Sequence, residues 1–227
     1  MADEVERVLV GPDMLHPFAY RLRRKLCLLY SETLIYRRTK LKGWLTLQAY
    51  KRLYPNFHVG KAPRVWGRFY VTMHAPFETE VVLGDNLHMV SDIARAGITL
   101  FSPCKFNTLG QGQIIVGDNV QLNGTAISSR KKVEIGSGSL VAPNVVIVDS
   151  DFHAPWPPGQ RGLSDPTPYD RAVVIGENVW LGLNATVLKG AKIGDNSIIG
   201  AGSVVAGEIP ANVVAAGVPA RVVKSLA

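Results

Sequence analysis

The chain has 227 residues, is 47% hydrophobic and carries a net charge of +7, which fits one globular domain with an appendage. No apolar run approaches the roughly 18 residues of a membrane-spanning helix. The opening MADEVERVLVG places acids where a secretory leader would be basic, so a cytoplasmic soluble protein is expected. Cys27 and Cys104 are too few for a disulfide framework and form no C-x-x-C pair, so two free thiols are expected.

The positive charge is concentrated near the start. Residues 21–64 hold twelve Lys or Arg against the single acid Glu32, a segment net of +11 that leaves −4 for the rest. Residues 14–53 mix these cations with Leu, Tyr and Ile. Two short helices are expected, from Pro17 to Arg38 and from Trp44 to Leu53, with Gly43 between them and Tyr54-Pro55-Asn56 as the stop. Residues 1–56 therefore read as a basic, mainly helical segment. The twelve cations of 21–64 could contact an anionic membrane surface or a lipid-linked saccharide at the inner, cytoplasmic face, or simply form a solvated face packed on the end of the domain. Nucleic acid is not an expected partner, because no aromatic platform motif or reading helix accompanies the charge.

From Phe57 the pattern changes to short extended patches, such as Val65, Phe69 and Val71, then Val81 and Leu83 before Gly84-Asp85-Asn86. A six-residue beat becomes audible at Val116 and Leu122, slips across Ser128-Ser129-Arg130-Lys131-Lys132, and resumes at Ile135, Val141 and Ile147. After residue 171 it is regular, with Ile175, Leu181, Val187, Ile193, Ile199 and Val205 in step. Gly follows four of them directly, and small or branched residues stand four positions on: Val179, Ala185, Ala191, Ser197, Ser203 and Ile209. A period of six belongs neither to a helix nor to an ordinary paired strand. Each hexad reads as a short strand and a turn, with the aliphatic inward and the Gly at a tight bend. One buried aliphatic contributes roughly 1.5–3 kcal/mol, too little to order a lone hexad, so the coils must stack on one continuous core. The fold class is an all-β solenoid over 57–220, a parallel β-helix with an N-terminal α-helical appendage, followed by a short tail, 221–227. The beat leaves its hand open, and right-handed crossovers are the general expectation.

Between 151 and 171 the beat is lost in DFHAPWPPGQRGLSDPTPYDR, whose five prolines rule out regular strand. A long loop ejected from a rigid solenoid is a place for function. Counting in sixes from Ile147 puts His153 in the next inward slot, where an imidazole fits badly, so the chain should leave the solenoid here. Asp149 and Asp151 could orient the ring as a general base. These three could also be metal ligands, although no second histidine lies in the stretch and no metal is expected. A structural histidine is the plain alternative. Trp180 ends its hexad and should face outward, covered by another subunit, a ligand or the loop. Gly182, Gly200 and Gly202 are turn residues that could also let a ligand approach the backbone.

The stretch VVIGENVWLGLNATVLKGAKIGDNSIIGAGSVVAGEIPANVVAAGVPARVVK resembles the C-terminal part of the hexapeptide-repeat acyltransferases. It is most similar to the galactoside and maltose acetyltransferase branch and to polysaccharide O-acetyltransferases. The resemblance is specific over 133–224, loose over 57–132 and absent before. It implies a left-handed parallel β-helix, a homotrimer with active sites between subunits, and acetyl-CoA along the groove. It also implies that His153, in VDSDFHAPWP, is the catalytic base. Trp180, the backbone at Gly182, Ala201, Gly202 and Ser203, and the basic residues Arg221 and Lys224 are implied near CoA. Ala206-Gly207 stands where the family commonly has Thr-Lys.

The expected activity is therefore acetyl-CoA-dependent O-acetylation of a sugar, polysaccharide or lipid-linked saccharide by direct transfer. N-acetylation of an amino sugar would use the same base and groove. A β-helical carbonic anhydrase would need histidines paired at a subunit interface, which the regular coils lack. A non-enzymatic scaffold is the remaining rival.

Overall fold

The computed structural model describes residue 25, residues 34–162 and residues 167–226. The chain divides into two compact units, 1–38 and 39–227. The helix expected from Pro17 falls largely outside the described residues.

The helix expected to begin at Trp44 instead forms the later part of α1 (Tyr36–Leu53), which runs through Gly43 without a break. Its Leu, Lys, Arg, Gln and Ala content favours helix, and the turn at Tyr54-Pro55 ends it as expected. Gly43 is in the helix because of packing rather than punctuation. A Cβ there would lie 2.3 Å from the Val65 carbonyl oxygen, so only glycine lets the helix approach the first coil. Leu47 joins the core, and the Tyr50 ring packs on Phe57 and Phe69 with centroids 6.1 and 5.4 Å away. From Thr39 onward α1 thus closes the open end of the solenoid. Among the described residues no helix is long and apolar enough to cross a membrane.

The remaining chain winds through three sheets in turn. The first stacks β1 (Phe57–Val59), β4 (Glu80–Leu83), β7 (Gln113–Val116), β10 (Lys132–Ile135), β13 (Val173–Ile175), β16 (Lys192–Ile193) and β19 (Glu208–Ile209). In the second are β2 (Arg64–Trp66), β5 (His88–Val90), β8 (Gln121–Asn123), β11 (Leu140–Val141), β14 (Trp180–Leu181), β17 (Ile198–Ile199) and β20 (Val213–Gly217). The third holds β3 (Tyr70–Met73), β6 (Lys105–Thr108), β9 (Ala126–Ser129), β12 (Val146–Val148), β15 (Thr186–Val187) and β18 (Val204–Val205). Neighbours within each sheet are parallel and come from successive coils, which makes the solenoid a parallel β-helix. β21 (Ala220–Ser225), which contains most of the expected tail, folds back antiparallel on β20.

Register reproduces the beat. Ile175 pairs with Ile193, Leu181 with Ile199 and Val187 with Val205, each eighteen residues on, or three hexads per coil. Their side chains are buried in one continuous core. The slip read across 128–132 is a longer coil: Val116 pairs with Ile135, nineteen residues on.

The turns work differently from the expectation. Glycine after the aliphatic was expected at the bend, yet the left-handed position is held by Asn178, Asn184, Asn196 and Asn212, with φ between 53° and 60°. Asn tolerates this region because its short amide bonds locally. These amides also bond coil to coil, Asn196 Nδ2 donating to Asn212 Oδ1 at 3.0 Å. Gly182 serves close stacking instead, since a Cβ there would meet the Ala201 nitrogen at 2.6 Å.

Two departures shape the surface. The loop after β12 leaves the corner between the third and first sheets, as the broken beat predicts. A second, unforeseen insertion occupies residues 91–104 at the corner between the second and third sheets. Asn144 ties it down, accepting from Phe101 N–H at 2.8 Å and donating to Thr99 O at 3.1 Å. Cys104 at its end is a buried free thiol, pushed up to about 11 chiefly by burial; Cys27 lies outside the described residues.

Candidate functional site

The loop after β12 begins with a buried carboxylate. Sheet three continues inward past Ile147 to Asp149, so position 149 takes the inward slot and His153 does not. Asp149 is fully buried. It accepts from Ser129 Oγ at 2.7 Å, Arg130 N–H at 2.8 Å and Lys131 N–H at 2.8 Å. Both oxygens are engaged with the preceding coil, so the ring-orienting role considered for Asp149 is not what its contacts supply. The carboxylate instead fixes the backbone of Arg130 and Lys131 at the corner. Its own carbonyl accepts from Arg171 N–H at 3.0 Å, which draws together the two ends of the loop.

Asp151 is exposed and ion-paired with Lys189 Nζ. His153 is exposed, and among the described residues no hydrogen bond or ion pair reaches its ring. The two aspartates are thus directed at other partners, and the three side chains are not assembled as a ligand set. What remains at the root of the loop is an accessible imidazole beside a pinned backbone.

Along the same corner of the solenoid lies a cavity of about 700 Å³ bordered by Glu78, Gln111, Gln113, Arg130, Lys131 and Asp170. Its wall comes from four successive turns between the third and first sheets, and His153 is not part of it. Arg130 Nε donates to Asp170 Oδ2 at 3.1 Å. Asp170 is buried, yet its Oδ1 has no hydrogen-bond partner. That oxygen is sealed from solvent together with the rest of the side chain, so Asp170 holds Arg130 at the cavity rim from beneath rather than facing an incoming ligand. Sequence reasoning missed Arg130, Lys131 and Asp170. The slip in the beat at 128–132 is the signal for Arg130 and Lys131, whereas Asp170 stands at the end of the proline-rich loop with no spacing that marks it.

The other expected residues lie on a different edge. Trp180 is 50% exposed on sheet two. It occupies one register row with Ile198, Val214 and Lys224. Arg221 and Lys224 are both exposed on β21. Gly182, Ala201, Gly202 and Ser203 form the corner between sheets two and three. The N–H groups of Gly182, Gly202 and Ser203 donate to Ile199, Leu183 and Gly200 carbonyls, so they serve stacking. The N–H of Ala201 takes part in none of these bonds. Open space lies above Gly202, whereas Ser203 is buried and its Oγ accepts from Gly217 N–H at 3.1 Å. Within one chain, then, the structure brings Trp180 and Lys224 onto one face near the Ala201 corner. It sets His153 on the opposite edge of sheet three.

Residues 172–207 match the family model described as bacterial transferase hexapeptide (six repeats). Over that stretch the chain carries hexapeptide repeats. Its solenoid is accordingly a left-handed parallel β-helix, the hand that the resemblance implied and that chain-crossover statistics did not. This hexapeptide-repeat chain is 42% identical over 132 residues to the putative lipopolysaccharide biosynthesis O-acetyl transferase WbbJ of Escherichia coli K12, covering 53% of this chain and 64% of that one. It is 43% identical over 94 residues to the galactoside O-acetyltransferase of the same organism, covering 41% and 44%. The chain therefore spans less than two thirds of the length of either relative. Among solved structures, AntD, an N-acyltransferase from Bacillus cereus in complex with dTDP and 3-hydroxybutyryl-CoA, superposes with a TM-score of 0.56 at 18% identity, over 78% of this chain and 87% of that one. That likeness is one of fold.

Proposed function

We propose that this hexapeptide-repeat chain is an acetyl-CoA-dependent O-acetyltransferase acting on a saccharide hydroxyl, with His153 as general base and catalysis shared between copies of a homotrimer. The observation that carries the proposal is the exposed imidazole of His153, free of hydrogen bonds among the described residues, at the root of a loop that leaves from the same corner as the polar cavity. The names of the relatives, O-acetyltransferases of lipopolysaccharide biosynthesis and of galactosides, supply the reaction and the substrate class.

In this reading the acceptor sugar lies in the cavity at the third-to-first corner, where Lys131, Glu78, Gln111 and Gln113 offer donors and acceptors to hydroxyl groups. The neutral imidazole takes the proton of the attacking hydroxyl as its oxygen bonds to the thioester carbonyl carbon, and then passes that proton to the departing thiolate. Ala201 N–H, the open surface at Gly202 and the half-exposed Trp180 indole suit the pantetheine side of acetyl-CoA. Arg221 and Lys224 suit its phosphates. Asp149 acts by positioning the Arg130-Lys131 backbone, and Asp151 by its pair with Lys189.

Replacing the base separates chemistry from binding. His153→Ala should lower kcat at least about a hundredfold, as loss of a general base does, while the thermal shift produced by acetyl-CoA stays as in the parent. Near-normal turnover would remove His153 from the mechanism. Sixty-five residues of this chain are also 45% identical to a tetrahydropyridine-dicarboxylate N-acetyltransferase of Clostridium perfringens. Amine acceptors therefore belong in the same thiol-release assay, and acetylation of amines but not hydroxyls would replace the O-transfer reading.

A further inference from the structure

One face of α1 is used in closing the solenoid, and the opposite face has a composition that closure does not require. Thr39, Gly43 and Leu47 are the buried positions. Leu41, Trp44 and Leu45, one helical turn apart from one another or adjacent, are 56%, 55% and 53% exposed and form a single patch. The helix carries Arg37, Arg38, Lys40, Lys42, Lys51 and Arg52 and no acid. An indole and two leucines held in water, on a helix whose charged residues are all cations, mark an interaction surface rather than a solvated face.

We infer that this face of α1 seats on an anionic bilayer surface. Charge complementarity selects the occupant. A second copy docking through the same face would set these cations against their own kind, whereas a layer of phosphate headgroups neutralises them. Trp and Leu suit the boundary between headgroups and acyl chains, and Lys and Arg can bury their stems there while keeping their charges at the phosphates. α1 is too polar to cross a membrane, so the attachment is peripheral. Its place at the end of the solenoid leaves the outer face unobstructed by the coils. Any cyclic assembly about an axis parallel to the solenoid would set every copy of α1 at the same end, multiplying weak attachments into a firm one. The bilayer contact itself does not depend on the acetyltransferase reading, and it adds a reason for an acceptor presented at a membrane.

The test is co-sedimentation of the full chain with large vesicles of phosphatidylcholine containing about one third phosphatidylglycerol, compared with pure phosphatidylcholine, at physiological salt. Binding to the anionic vesicles should exceed that to the neutral ones at least about tenfold and weaken at high salt. The double variant Leu41→Glu, Leu45→Glu should lose about tenfold or more in binding, with an unchanged melting temperature. The charge-reversal pair Lys51→Glu, Arg52→Glu provides an independent variant that leaves the apolar patch intact, and should weaken binding similarly. Undetectable binding, equal binding to both vesicle types, or full binding by both double variants overturns the inference. Self-association abolished by Leu41→Glu, Leu45→Glu would assign the face to a second copy instead. Acetyl transfer to a water-soluble acceptor is read in parallel. Its loss in the parent would count against the enzymatic reading and leave the vesicle result standing.

Discussion

A carboxylate sealed inside an apolar solenoid is tolerable only when its lone pairs find donors, and Asp149 finds three, two of them backbone N–H groups. Asp149→Ala would leave those two N–H groups and the Ser129 hydroxyl unpaired beside a small void. A loss of about 3 kcal/mol or more is expected in denaturant unfolding, together with weaker acceptor binding because the Arg130-Lys131 turn is released. His88 shows the opposite situation, a base whose proton is unwelcome. Partial burial first, then the charges of Arg64 and Arg95, hold its pKa below the usual 6.5. Its ring lies 4.5 Å from that of Trp66, and Arg64 is its register partner. Because the folded state binds the proton less well than the unfolded one, this group's contribution to stability is full above pH 6.5 and declines as the pH falls towards its folded pKa. Histidine NMR titration should place its midpoint below 6.5 and move it upward, without full restoration, in Arg64→Gln. An unmoved midpoint would leave burial and Arg95 as the causes.

At the scale of elements, Gly43 makes the case that propensity is subordinate to packing. In an exposed helix interior Gly→Ala stabilises by about 1 kcal/mol. Here the added methyl would be driven into the Val65 carbonyl, so Gly43→Ala should lower the melting temperature, with a cost of about 1–3 kcal/mol typical of overpacking. A rise would mean that α1 sits more loosely on the first coil than the structure has it. The same contrast explains what the sequence could and could not convey. Ile175 to Val205 were legible because every inward position repeats eighteen residues on with the same chemistry, and the ejected loop because prolines break a rhythm already established. Gly43 looked like a helix break because glycine alone does not say whether it serves a bend or a close approach. The insertion at 91–104 was illegible because the early coils have no regular beat for it to interrupt. Asp149 was passed over for a related reason: counting in sixes from Ile147 skips the next inward position of strand alternation, and beyond the end of β12 that position brings a charged residue inward onto Ser129. The cavity-lining Arg130 and Lys131 come from a turn whose lengthening was visible, although its neighbours in space were not.

For the whole molecule, the decisive geometry is the separation of corners. His153 leaves the solenoid between sheets three and one, while Ala201 and Gly202 stand between sheets two and three, with Trp180 and Lys224 on the face of sheet two beyond them. The intervening sheet is packed from inside by Ile127, Ile147 and Val187, so among the described residues no passage through the solenoid joins the two edges. If both edges serve one reaction, each site must take its base from one copy and its donor surface from another, the arrangement a cyclic trimer provides by setting one edge of each copy against the other edge of the next. Complementation tests this directly. His153→Ala and a second variant, Gly202→Trp, which fills the open space beside Ala201, should each be inactive alone. Co-refolding equal amounts should restore about one quarter of the parent activity, since half the sites receive an intact base and, independently, half an intact donor surface. A mixture as inactive as its components would place both edges of the site on one chain and require a rearrangement of sheet three.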